Sequence, residues 1–445
     1  MPISPACVRP WRGSRGLTIA WTMLALVVPA ALGAQAMFRG DPAHSGRSGE
    51  TGPATLKGVK WTVKTGGPVV SSPVLVDGTL YVGSDDGSLY AVEAGSGATK
   101  WKFATEGYVR STPAIVDGTA YFGSYDGFIY AVDAATGQLR WKFETAGERK
   151  FSAKGLHGSR PKQQVIADAW DCYLSSPTVV DGRVHVGSGD GHVYALDARS
   201  GELRWKFATQ DVVHASPAVV DGVVYVGSWD TFLYALDATN GALKWKFKTG
   251  EDPENHNQEG IQSSPTVVEG VVYFGCRDFH LYAVEAQTGT QRWKHKITWI
   301  NATPTVRDGR VYASTSIPSM FFALDAQTGE EVYRVELGAP AFSSPTLAGD
   351  LAFVGSFNGR LYAVDLAGRK IAWVYETDAA KANVRQALTP EGQLNSPVLF
   401  PSRFFEKMTV AVDHLLASGA ILSSPAVEQG RVYFGSADGA IYALE

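Results

Sequence analysis

The chain has 445 residues, of which 48 are glycine and 22 proline, about one residue in six. That exceeds the average of roughly 12% but stays below the roughly 25–30% of low-complexity chains, and with 45% hydrophobic and 11% aromatic residues wholesale disorder is excluded. A charged fraction of 19% and a net charge of -4 give no polybasic field, so nucleic acid is not an expected partner.

Residues 1–36 read as an export address. Arg9, Arg12 and Arg15 are their only charges, an apolar stretch runs from Leu17 to Leu32, and Ala34-Gln35-Ala36 follows. This is the charged, apolar and small-residue order of a secretory signal peptide, with cleavage expected after Ala36. The apolar run is short for a membrane span, which takes roughly 20 residues; a retained anchor is the alternative. Cleavage moves the net charge from -4 to -7 and leaves two cysteines, Cys172 and Cys276. An oxidising compartment permits a disulfide between them, but two cysteines are no framework, and buried free thiols are the simpler expectation. The mature protein is expected to be periplasmic or extracellular, with a leader over 37–55.

The rest is one unit read eight times. Its mark is a Ser-Ser-Pro-like element whose prolines are Pro73, Pro113, Pro177, Pro217, Pro265, Pro304, Pro345 and Pro425. In the first unit Val74-Leu75-Val76 reaches an Asp77-Gly78 turn, and Tyr81-Val82-Gly83-Ser84 reaches a second turn at Asp86-Gly87. Leu89-Tyr90-Ala91-Val92 leads to Gly95-Ser96-Gly97, and Trp101-Lys102-Phe103 ends the unit. Asp-Gly between apolar runs favours a two-residue hairpin, because that turn needs positive φ. Four short strands every 40 or so residues predict a propeller blade, which cannot bury its faces without neighbours. The last unit stops at Glu445 without its Trp-bearing strand, while Val59-Lys60-Trp61-Thr62-Val63 stands unused near the start. The expected fold is therefore all-β, an eight-bladed propeller of four-stranded blades, closed by a strand at about 58–64 that completes the last blade and removes a free edge. The three domains that length alone suggests become one ring.

The recurring Tyr-Val-Gly-Ser-x-Asp-Gly-x-Leu-Tyr-Ala-Leu-Asp-Ala-x-Thr-Gly and Trp-Lys-Phe, clearest at 225–247 and 121–143, resemble the pyrroloquinoline-quinone (PQQ)-like repeat β-propellers over about 56–445. That family includes quinoprotein alcohol dehydrogenases and non-catalytic, BamB-like scaffolds of outer-membrane protein assembly. The dehydrogenases typically carry adjacent cysteines above the cofactor, a calcium-binding acid and a catalytic aspartate. This chain has no Cys-Cys pair and no Cys-x-x-Cys-His haem site. The resemblance therefore implies a BamB-like binding or assembly scaffold without a cofactor, a monomeric ring with protein partners in the cell envelope. It would meet the membrane only indirectly or through a retained anchor. A dehydrogenase using PQQ and calcium is the alternative.

Function is expected where the repeat breaks. Extra segments fall near 146–172, 250–261 and 376–420, each between an outer strand and the next inner strand, hence on one face. Three residues before each repeat proline, on that same face, the non-apolar exceptions are Arg110, His214, Gln262 and Asn301. The turn between second and third strands adds Tyr125, Trp229, Arg277 and Phe357, and the first insertion adds a basic run including Lys150, Lys154 and Arg160. These eleven residues form the candidate binding face. The periodicity of Phe405, Met408, Val412 and Leu415, with Ser402 as cap and Gly419 beyond, predicts a helix over 402–417. Asp86, Asp126, Asp190, Asp230, Asp278 and Asp438 read as turn residues. No catalytic motif and no metal set is found.

Overall fold

The sequence repeat becomes eight four-stranded antiparallel sheets arranged as blades of a ring. The computed structural model describes residues 36–316, 319–400 and 408–445. Blade 1 is typical, with strands Val74–Val76, Thr79–Gly83, Ser88–Glu93 and Thr99–Ala104 running from the central channel outwards. A bulge between Ala91 and Val92 interrupts the pairing to the outer strand and recurs at the same place in blades 2 to 7. An extra residue there increases the local twist. Val59–Lys64 pairs with Ala440–Leu444, with Trp61 opposite Ala443 and Val63 opposite Ile441, so the two ends of the propeller share blade 8.

Neighbouring blades are held together by the residues the repeat keeps. The outer-strand tryptophans Trp61, Trp101, Trp141, Trp205, Trp245 and Trp293 each donate an indole N–H to an alanine carbonyl of the next blade at 2.9–3.1 Å. The ring of Trp205 lies against Gly241 of the next blade, where a Cβ would stand 2.6 Å from it and φ is +73°. Glycine is needed there both for the close approach and for the left-handed backbone. The second residue of each Ser-Ser-Pro element makes the inner counterpart. Backbone N–H groups of Ser72, Thr112, Ser176, Ser216, Thr303, Ser344 and Ser424 donate to the hydroxyl of the equivalent residue one blade on, the last returning to Ser72. The turn aspartates do what the sequence suggested. Asp230, for example, accepts from the backbone N–H of Phe232 at 3.0 Å and from the hydroxyl of Tyr234 at 2.7 Å.

The leader crosses the channel floor. Ala36 exchanges two backbone hydrogen bonds with Ile115 of blade 2, and the carbonyls of Pro42, Ala43 and Gly46 accept from Val219, Val267 and Leu347 of blades 4, 5 and 7. His44 reaches Thr178 and Pro265, the Arg47 guanidinium donates to Val306, and Ser48 donates to Val427. The leader thereby bonds to the inner strands of blades 2 to 8, through backbone in blades 2, 4, 5 and 7 and through side chains in blades 3, 6 and 8.

The three insertions cover the other mouth as a cap. The first forms a hairpin, Ser152–Lys154 with Val165–Ala167, and the second folds against it through a bond from the His157 N–H to Asn255. The third carries helices Asp378–Ala382, Ser396–Leu399 and Met408–Ala417. Met408, Val412 and Leu415 of the anticipated helix are buried over the channel with Trp170, Phe342 and Phe357; Ser402 and Phe405 lie outside the described residues.

Candidate binding face

The inner-strand residues singled out by sequence do meet. Arg110, His214, Gln262 and Asn301 line one small axial cavity of about 30 Å³ beneath the cap, with Val70, Leu174 and Phe342 and the ring of hydroxyls. They face the cap rather than solvent, and polar segments of the first insertion descend to meet them. Arg110 makes a two-point salt bridge with Asp85 at 2.9 and 2.6 Å and donates to the Cys172 carbonyl at 3.1 Å. His214 lies 2.7 Å from Asp171 and 3.4 Å from Glu148. Burial alone would lower its pKa, but the two carboxylates outweigh that and raise it to about 9. Gln262 donates to the Trp170 carbonyl at 3.2 Å.

Trp229 and Arg277, expected as contact residues, sit deeper. Arg277 has no exposed surface; its guanidinium lies 4.7 Å above the Trp229 ring and 4.4 Å from the Trp299 ring and pairs with Asp168. Burial opposes the Asp168 charge, yet Arg277 and the nearby His157 hold its pKa below the usual carboxylate range. Trp229 stacks on Phe151 of the first insertion with centroids 4.4 Å apart. Phe357 packs edge-on against Phe342 and Trp170. Tyr125 donates to the Tyr173 carbonyl at 3.3 Å. Of the basic run, Lys150 is half-buried while Lys154 and Arg160 are exposed. Cys172 and Cys276 are buried free thiols in separate clusters.

Sequence reasoning missed the acids that anchor the cap, Glu148, Asp168 and Asp171. They flank the basic run, and that flanking was the available signal. It also missed Trp299 and the open apolar crevice of about 220 Å³ that Trp299 shares with Trp170, Phe279, Thr298, Pro340 and Phe342 on the capped face. Phe279 has φ +70° where Gly87, Gly127, Gly191 and Gly359 stand in other blades; Thr231 is its strained equivalent in blade 4 at φ +75°. A bulky residue in this region costs of order 1–3 kcal/mol and persists only where its surroundings hold it.

Eight closed blades with a sealed axis and one individual face define a β-propeller of PQQ-like repeats. The chain belongs to the family of the outer membrane protein assembly factor BamB, whose model matches residues 49–166, 167–317 and 278–396. Among solved structures it is similar to BamB from Moraxella catarrhalis, at 19% identity and TM-score 0.62 over 87% of this chain and 97% of that one. It is also similar to a europium-containing methanol dehydrogenase, at 15% identity and TM-score 0.67 over 92% and 97%. The quinohemoprotein alcohol dehydrogenase from Comamonas testosteroni matches at 15% identity and TM-score 0.65 over 92% and 80%. At these identities the likeness is one of fold. No curated protein sequence matches the chain.

The dehydrogenase neighbours raise the question of a quinone. The axial cavity is the size of about one water molecule, and Trp170, Phe342 and Phe357 fill the channel mouth above it. The residues present at the axis do not fit a tricyclic quinone.

Proposed function

We propose that the protein is an exported, non-catalytic binding scaffold of the BamB kind that holds a protein partner in the cell envelope through its capped face. The observation that carries this reading is the apolar crevice walled by Phe279, Trp299 and Phe342 on the face where the blades differ. Aromatic anchors set in a pocket are what protein interfaces use for most of their binding energy, and the strain held at Phe279 fits a residue kept for contact rather than for the turn. No helix among the described residues is long and apolar enough to cross a membrane.

Exchange at Phe279 separates contact from structure. Tagged wild-type protein, Phe279→Gly and Thr231→Gly are crosslinked in the native envelope, and the captured proteins are quantified by mass spectrometry. Phe279→Gly is expected to raise stability by about 1 kcal/mol or more by relieving strain and to reduce capture of the main partner at least tenfold. Thr231→Gly should raise stability and leave capture intact. Equal capture by all three would discard the crevice as the docking point. The competing reading, a PQQ-dependent dehydrogenase, is supported only by the fold of the neighbours. Saturable binding of PQQ with calcium, followed by absorbance, together with dye reduction would establish it.

A further inference from the structure

At its axis the ring keeps a set of hydrogen-bond donors that the packing of the blades does not use. The second residue of every Ser-Ser-Pro element, from Ser72 round to Ser424, borders the axial cavity of about 30 Å³. In seven of these eight residues the hydroxyl oxygen accepts a backbone N–H from the preceding blade. Each hydroxyl also carries a hydrogen to donate, and among the described residues none of the eight donates to a protein acceptor. The eighth residue, Thr303, is 2% exposed, and its hydroxyl makes no hydrogen bond among the described residues. Asn301 borders the same cavity at 4% exposure with both its amide nitrogen and its amide oxygen unpaired, and the Gln262 amide oxygen is unpaired too. Buried polar groups of this kind are matched by water or by an ion.

Hydrogen count and charge choose between the two. The eight hydroxyls and the Asn301 amide offer more hydrogens than two amide oxygens can accept. A water donates as many hydrogen bonds as it accepts, so it does not relieve a surplus of donors. An anion only accepts, and hydrogen bonds to an ionised acceptor are roughly twice as strong as neutral ones. The charged side chains that border the cavity, Arg110 and His214, are both cations. Burial lowers the His214 pKa, but Asp171 and Glu148 outweigh it and raise it to about 9, so the ring is an imidazolium at neutral pH. Asp85, Asp171 and Glu148, which pair with these cations, are not part of the cavity wall.

We infer that the axial cavity is a binding site for one small monovalent anion of the halide class, held by hydroxyl hydrogens of the ring and by the Asn301 amide N–H. A volume near that of one water suits a halide and not a tetrahedral oxyanion. Phe38 of the leader borders the cavity as well, so a bound ion would join floor, ring and capped mouth at one point. Anion binding here is independent of what docks in the crevice.

Bromide is the probe, because it replaces chloride and scatters X-rays anomalously. Crystals of the purified protein grown without halide and soaked in sodium bromide should show an anomalous peak on the axis, within hydrogen-bond reach of Thr303 and Asn301. In solution, melting temperatures are compared in sodium chloride and sodium gluconate at equal ionic strength. Wild type should melt about 1 °C or more higher in chloride, since a ligand of the folded state alone stabilises by mass action. Thr303→Val keeps the side-chain shape and the Thr303 N–H bond to Ser344 at 2.8 Å while removing one donor; Asn301→Leu removes another. Each should lose at least half of the chloride-dependent rise. The anion site stands only if the axial peak and the variant-sensitive shift both appear. Axial density without anomalous signal would mean water and overturn it, as would bromide confined to the surface. A chloride effect equal in wild type and both variants would mean general salt action and overturn it too.

Discussion

Trp61 is the residue on which ring closure can be tested with one substitution. It belongs to the strand that joins the two ends of the propeller, is 9% exposed, and donates its indole N–H to Ala94 of blade 1 at 2.9 Å while packing on Tyr433. Trp61→Ala removes a buried aromatic at a blade interface, a change that costs about 3–5 kcal/mol. The Ala94 carbonyl keeps a second donor, the Tyr433 hydroxyl at 3.3 Å, so little is added for an orphaned acceptor. Trp61→Phe, which keeps most of the ring, should cost nearer 1 kcal/mol. For a domain of this size the first figure corresponds to a fall in melting temperature of about 4–6 °C. Differential scanning calorimetry and urea titration read both quantities, and a single transition with an unchanged denaturant slope is expected because the ends unfold with the ring. A shift under 1 °C, or a separate early transition, would refute closure as the source of cooperativity.

Further outcomes follow from the blade interfaces and the cap. His185 occupies the slot of Tyr225 and Tyr273 and packs on Trp205, and burial with nearby Arg183 lowers its pKa to about 3. Below the ordinary pKa near 6.5 the unfolded chain takes up a proton that the folded chain refuses, so His185 removes stability as pH falls from 6.5 towards 3. His185→Tyr should abolish that component, flattening the acid slope of denaturation by up to about 1.4 kcal/mol per pH unit. Gly241→Ala places a methyl against the Trp205 ring at positive φ and should cost about 2–4 kcal/mol, measured by urea unfolding beside Gly222→Ala, whose Cβ would meet nothing. Arg277→Met leaves Asp168 buried without its cation and should cost about 3–5 kcal/mol, with much of the loss restored in Arg277→Met/Asp168→Asn; no restoration would mean that the tryptophan stacking, not the ion pair, anchors the cap.

What was legible in the sequence is what recurs. Proline spacing, Asp-Gly turns and the displaced strand at Trp61 fixed eight blades and the manner of closure, because every blade solves the same packing problem with the same residues. The position of Arg110, His214, Gln262 and Asn301 at one channel mouth was legible for the same reason, since register places them. Their burial was not, because it depends on segments that break the period. Asp168 and Arg277 are 109 residues apart, and no local pattern links the two. The leader was equally opaque. Several of its bonds are made by the backbone carbonyls of Pro42, Ala43 and Gly46, groups that every residue carries and that leave no compositional trace.

The leader's path also limits the size of the ring. Between Ala36 at blade 2 and Ser48 at blade 8, twelve steps of chain touch every blade on the way, and an extended chain advances at most roughly 3.3–3.6 Å per residue. Blade-to-blade contacts of the hydroxyl and tryptophan type are head-to-tail and carry no instruction to stop, as in any heterologous assembly. A strap of fixed length anchored at intervals does carry one. A ninth blade would widen the floor and pull the anchor points apart, and a seventh would leave slack. The segment that looks like a mere lead-in is thus matched in length to a floor of eight blades, its contacts running from Ile115 of blade 2 to Val427 of blade 8.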